Sequence, residues 1–206
     1  DPDEPTHVAE SIALMKLSHA VITSVDRDDL PDLGAAHWAQ TIREIKRLNP
    51  ETTTEVLIPD FQGRKELVDQ VIKACPEIIS HNMETVKRIS PQVRSAANYH
   101  TSLEVIRQIA ESGITAKSGI MVGLGETPAE VEELMDDLIS VGCKILTIGQ
   151  YLQPTHKHFP VAAYITPEQF AVYKETGLKK GFEQMESAPL VRSSYHAEKH
   201  IRFNNK

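Results

Sequence analysis

Short, unbroken apolar runs separated by longer stripes of 3.6-residue period run the length of this sequence, and that alternation constrains the fold more than any other feature. The runs occupy residues 20–25, 54–58, 78–80, 119–122 and 145–148. None alternates cleanly between apolar and polar, so both faces of each strand should be buried, which is the pattern of parallel strands. Between them lie Trp38, Ile42, Ile45 and Leu48; Leu67, Val68, Val71, Ile72 and Cys75; Leu103, Ile106, Ile109 and Ala110; and Val131, Leu134, Met135, Leu138 and Ile139. Each stripe predicts a helix laid on the sheet. Strand followed by helix, repeated, points to an α/β fold rather than a sandwich or a bundle.

The element ends are well marked. Thr127-Pro128-Ala129-Glu130 combines an N-cap, a proline in the first turn and a glutamate three residues on, and Thr166-Pro167-Glu168-Gln169 repeats the device. Gly113, Gly142 and Gly181 follow helical stripes where a left-handed residue is expected. A further helical stretch over residues 5–17 precedes the first run. In a right-handed βαβ succession such a helix follows a strand of its own, so the sequence reads as starting mid-fold. A closed eight-fold barrel takes about 250 residues. Five visible units and one upstream therefore predict a partial (βα) TIM-type barrel over residues 1–186, missing its first strand, with residues 187–206 as a polar tail that caps one mouth.

Composition narrows the function classes. Hydrophobic and charged fractions of 40% and 25% exclude collagen-like, mucin-like and wholly disordered chains. A net charge of −7 argues against a protein that neutralises nucleic-acid phosphates. No apolar stretch approaches the roughly 20 residues of a membrane span, and no leader is visible, so a cytoplasmic protein with neither membrane nor nucleic-acid partner is expected. Cys75 and Cys143 form no C-x-x-C. Both read as buried small hydrophobes.

In (βα) architectures chemistry gathers at the C-terminal ends of the strands. Those ends are Ser24-Val25-Asp26-Arg27-Asp28-Asp29, Pro59-Asp60, His81-Asn82-Met83-Glu84-Thr85, Gly123-Leu124-Gly125-Glu126 and Gly149-Gln150-Tyr151-Leu152-Gln153. Every one is polar. The aspartates beside Arg27 fit equally a ligand site or a solvated loop with a local ion pair. Gly123 and Gly125 permit positive φ and close approach of a ligand beside a helix N-terminus, although the spacing is not that of a nucleotide loop. The pairs His156/His158 and His196/His200 lack a third metal ligand and read as exposed side chains. Lys117 is conceivable as a Schiff-base lysine, which would make the protein a lyase or aldolase. It stands ahead of its apolar run, however, and so reads as a residue of the opposite, stability-bearing face.

Taken as a set, five segments resemble the lipoyl synthases. They are Val21-Ile22-Thr23-Ser24-Val25-Asp26-Arg27-Asp28-Asp29-Leu30-Pro31, His81-Asn82-Met83-Glu84-Thr85, the stretch from Lys117 through Gly119, Gly123, Gly125 and Glu126 to Thr127, Thr147-Ile148-Gly149-Gln150-Tyr151-Leu152-Gln153-Pro154, and Arg192-Ser193-Ser194-Tyr195-His196-Ala197. The resemblance implies a radical S-adenosylmethionine (SAM) sulfurtransferase. Such an enzyme inserts two sulfur atoms at C6 and C8 of an octanoyl-lysine on a lipoyl carrier domain of the 2-oxoacid dehydrogenase complexes or on the glycine cleavage H protein. It also implies two 4Fe–4S clusters, one held by a C-x-x-x-C-x-x-C loop that cleaves SAM, and an auxiliary one, held by a cysteine trio and a serine, that gives up sulfur. Neither cysteine motif is present, so the sequence reads as a fragment that is inactive alone, or as a non-catalytic binding module. By the same resemblance Asn82 and Glu84 contact SAM, with Glu84 on the ribose hydroxyls; Gly123, Gly125, Glu126 and Gln150 surround it; Asp26 meets its amino group; and Arg94 meets a carboxylate or phosphate. Either Ser193 or Ser194 is the auxiliary-cluster ligand.

Overall fold

The computed structural model describes residues 1–94, 97–195 and 197. Among the described residues six strands form one parallel sheet: β1 (His19–Thr23), β2 (Thr53–Leu57), β3 (Ile78–Ser80), β4 (Thr115–Val122), β5 (Ile145–Gln150) and β6 (Gln184–Ser187). They lie side by side in sequence order. Winding always onto the next neighbour with one handedness puts every crossover helix on the same face and curls the sheet into a partial (βα) barrel. The helices are α1 (Glu4–Met15), α2 (Ala35–Leu48), α3 (Lys65–Ile72), the single turn α4 (Ser90–Val93), α5 (Tyr99–Glu111), α6 (Pro128–Ser140) and α7 (Pro167–Lys180).

The outer strand faces and the inner helix faces share one core, in which Val56, Ile79, Ile120, Leu146 and Ile148 meet Ile42, Val68, Ile106 and Leu134. Around Ala9, Ile12, Ala20 and Ile45 a smaller cluster seats α1 beside β1 and α2. The expected N-cap at Thr127 is a complete capping box with Glu130. At Thr166 only one half of the device is present, its side chain accepting from the Gln169 N–H. Gly113, Gly142 and Gly181 have φ of 87°, 83° and 118°, as left-handed helix stops require.

Three expectations are corrected. β6 adds a sixth strand to the five that the apolar runs predict, since its four residues, Gln-Met-Glu-Ser, carry no apolar run; its last residue, Ser187, pairs with Ile148. β4 begins earlier than the apolar run at Gly119 and includes Lys117, which is fully buried in the strand. Helix α3 stops at Ile72, so Cys75 lies beyond it at φ 57° and is exposed. Inside the barrel, Glu55, Lys117, Gly119, Thr147 and Gly149 turn inward.

Candidate active site

The strand ends enclose two cavities with common walls. The larger, about 540 Å³, opens over the ends of β1, β2 and β3 and is lined by Asp26, Asp60, His81, Asn82, Glu84 and Arg94 among others. The second, about 210 Å³, lies over β4 and β5, where Gly119, Thr147, Gly149 and Gln150 form the floor and residues 191–193 one side. Asn82 and Glu84 line both.

Backbone geometry after β3 delivers those two side chains. Met83 N–H donates to Ser118 Oγ, Glu84 N–H to the Gly119 carbonyl, and Met121 N–H to the Glu84 carbonyl. The strand thus leaves and rejoins β4, with Glu84 at φ 63°. A left-handed conformation costs a non-glycine residue roughly 1–2 kcal/mol. Burial raises the Glu84 carboxyl above its ordinary pKa, opposed by Asn82 and by the positive charge of Arg94.

Asn82 Oδ1 is buried without a hydrogen-bond partner. Beside it Gly119 leaves room: a Cβ there would stand 2.8 Å from both Asn82 Oδ1 and Thr147 Oγ1. An unmet buried acceptor facing a gap that only glycine leaves open is a place for a ligand donor.

Arg94 is held from below. Its Nη1 donates to Ser102 Oγ at 2.9 Å and to the Met83 carbonyl at 3.3 Å. Ser102 Oγ in turn lies 2.9 Å from His81 Nε2, and His81 Nδ1 lies 2.9 Å from the Ile58 carbonyl. A carbonyl only accepts, so Nδ1 carries the proton and Nε2 accepts from the serine hydroxyl. Burial, aided by the nearby Arg94 charge, pushes the His81 pKa down to about 4, so the ring is neutral at pH 7. Burial also draws the Arg94 pKa down, against the pull of Glu84, Asp60 and Asp26. Sequence pattern alone does not show this support of Arg94: His81 stands in the strand-end segment, but its partner Ser102 comes from a helix 21 residues on.

The remaining expected residues divide. Asp26 is exposed and faces the larger cavity, whereas its neighbours Arg27 and Asp29 pair with each other at 2.7 Å, so the acidic loop is part site and part local ion pair. Gly123 and Gly125 do take positive φ, each 100°. Neither lines either of these two cavities, however. A Cβ on Gly123 would strike Gln150 Nε2 at 2.3 Å and the Ala163 carbonyl at 2.4 Å, so chain, not ligand, makes the close approach. Glu126 turns back on its own loop, accepting from Gly123 N–H at 2.6 Å and Leu124 N–H at 2.9 Å. Gln150 borders the second cavity but donates to the Tyr151 and Ala163 carbonyls and accepts from Ile165 N–H. Ser193 is half-buried and lines the second cavity, and Ser194 is exposed. His156 and His158 are exposed; His196 and His200 lie outside the described residues.

The donor set fits SAM. Four carboxylates (Asp26, Asp28, Asp60 and Glu84), one supported guanidinium, an orphaned amide oxygen and a glycine-lined gap answer a molecule that carries a sulfonium, an ammonium, a carboxylate and a ribose diol, and the larger cavity is within the usual range for a small-molecule site. The same residues do not fit an iron–sulfur cluster. Among the described residues no group of three or more His, Cys, Asp or Glu is placed to hold a metal ion. Cys75 is exposed, and Cys143 is buried with its Sγ against the Ala116 and Ile145 carbonyls and its thiol pKa pushed up to about 12 by burial. Among the described residues no helix is long and apolar enough to cross a membrane.

Comparison with known proteins agrees with this geometry. The family described as Radical SAM superfamily matches residues 1–138. SuiB from Streptococcus suis superposes over the whole chain and 46% of its own length with a TM-score of 0.68 at 9% sequence identity, a likeness of fold alone. The fold is therefore that of a radical SAM protein. Lipoyl synthase of Bacteroides fragilis is 98% identical over all 206 residues, which span 72% of its length, and that of Phocaeicola vulgatus is 81% identical over 98% of this chain and 72% of its own. The chain belongs to the lipoyl synthase family, whose members use SAM and 4Fe–4S chemistry.

Proposed function

We propose that this chain is the SAM-binding barrel of a lipoyl synthase that acts in the cytoplasm on octanoyl-lysine of lipoyl carrier domains and of the glycine cleavage H protein, placing sulfur at C6 and C8. The observation that carries the reading is the pair of cavities sharing Asn82 and Glu84. SAM, when bound, supplies the radical that unactivated C–H bonds demand. Glu84 would accept the ribose hydroxyls, Asn82 Oδ1 would take a buried donor beside Gly119, Asp26 would meet the ammonium, and Arg94 would clamp the carboxylate. Around them, Gly123, Glu126 and Gln150 fix the loops that exclude water. Gly125 belongs to the same loop.

Two 4Fe–4S clusters are part of this proposal for the protein at the length of its relatives. Their cysteine ligands have no counterpart in this chain; one of Ser193 and Ser194 would complete the auxiliary set. Anaerobic reconstitution of the longer protein with iron, sulfide, SAM and an octanoylated carrier should give deoxyadenosine and lipoylated carrier. Formation of neither would overturn the reading. Glu84→Gln tests the SAM site itself. Loss of a charged acceptor should weaken binding by about 1.5–3 kcal/mol, or about 10- to 150-fold in calorimetry. A variant that binds SAM normally but melts early would make Glu84 a folding residue instead.

A further inference from the structure

A buried charge pair inside the barrel takes no part in the contacts assigned above. Lys117 Nζ and Glu55 Oε1 are 2.7 Å apart, and both side chains have no exposure at all. Burying an ion pair ordinarily gains little net stability, and an apolar pair of equal volume would often serve as well. Its presence across β2 and β4 therefore calls for a further partner. Lys117 has one: Nζ donates to the carbonyl of Ser193 at 2.6 Å.

The segment that carries Ser193 is led to that point by the end of the sheet. Ala188 N–H donates to the Ile148 carbonyl, and Gln150 N–H donates to the Pro189 carbonyl at 3.2 Å. Gly149 then admits the chain, since a Cβ there would stand 2.3 Å from the Val191 carbonyl. Residues 191–193 next line the second cavity together with Asn82 and Glu84. The chain is thus admitted at Gly149 and gripped at Lys117. Of these, only the grip has a charge to lose.

We propose that Lys117, with Glu55 as its counter-ion, is a positioning residue that pins the Ser193 carbonyl and so holds the 191–193 strap as a wall of the second cavity. The ammonium supplies a strong, charge-assisted donor where the strap's carbonyl turns away from water. Glu55 keeps that donor charged within the barrel. The strap's consequence for ligand affinity rests on the SAM reading above; its placement does not.

The test is amide hydrogen exchange by mass spectrometry on the protein at the length of its relatives, without ligand. Lys117→Met alone would take the ammonium from a buried Glu55 carboxylate, whose other oxygen lies 3.9 Å from His19 Nε2, and endanger folding, so the informative variant is Glu55→Gln with Lys117→Met, which removes both charges at similar volume. Exchange over residues 189–195 should rise at least tenfold, while peptides over residues 78–85 stay at the wild-type rate. Gly149→Ala, which leaves the ion pair intact, should loosen the same segment. Lys117→Arg, which keeps a charged donor, should restore slow exchange. Unchanged strap exchange in the double variant, an equal rise at residues 78–85, or an arginine variant that behaves like the double variant would overturn the proposal. SAM affinity is measured in parallel: wild-type protein that fails to bind SAM defeats the functional reading, whatever the strap does.

Discussion

Acidification should unload a definite amount of stability through His81. The ring is 3% exposed, and burial takes its pKa from the ordinary 6.5 to about 4. Between those values the unfolded chain binds a proton that the native state refuses, so stability rises with pH across the window. The contribution is complete above about pH 6.5 and is lost as pH falls to about 4. At 1.36 kcal/mol per pH unit the loss comes to about 3 kcal/mol, a large share of the 5–15 kcal/mol typical of a domain. The structural cause is specific: a second ring proton at Nε2 would face the Ser102 hydroxyl, which now donates there, and would add a positive charge beside Arg94. Urea denaturation of the wild type and of His81→Asn, which retains an amide donor for the Ile58 carbonyl, should be run from pH 7.5 to pH 4. The carboxylates common to both cancel in the difference. The difference should change by about 3 kcal/mol between pH 6.5 and pH 4, with the wild type losing more. Parallel profiles would refute the neutral, proton-refusing histidine and with it the described support of Arg94.

Three further outcomes follow from the geometry. Gly119→Ala places a Cβ 2.8 Å from Asn82 Oδ1 and Thr147 Oγ1, so SAM affinity in calorimetry should fall at least tenfold; unchanged affinity would remove Asn82 from the site. Thr127→Ala deletes the serviced N-cap of α6 and should cost about 1 kcal/mol in urea denaturation, whereas a change of only a few tenths would show the Glu130 half of the box to be sufficient. The 206-residue chain, folded, should yield one fast thiol, Cys75, to a disulfide reagent, with Cys143 reacting only on unfolding; two fast equivalents would contradict the burial of Cys143.

What the sequence by itself determined is whatever depends on periodicity and on local chemistry. The strands at residues 78–80 and 145–148, the four amphipathic helices and the Thr127 cap were legible because each signal is complete within a few residues. The placement of Asp26, Asn82 and Glu84 at strand ends followed from the βα order, since that order fixes which end of every strand faces the same mouth. Tertiary structure decided the rest. Lys117 could not be read as a strand residue from its neighbours, because its charge is answered by Glu55, 62 residues away. Similarly, β6 has no apolar run and exists through its pairing with β5, and the strand-end glycine at 123 makes room for Gln150 and the Ala163 carbonyl. Even Arg94 owes its orientation to a serine and a histidine on other elements. The barrel interior is the common reason: residues there are satisfied across the barrel by partners distant in the chain, so polarity that looks like a break in the sequence pattern is, once the sheet curls, the inside of the fold.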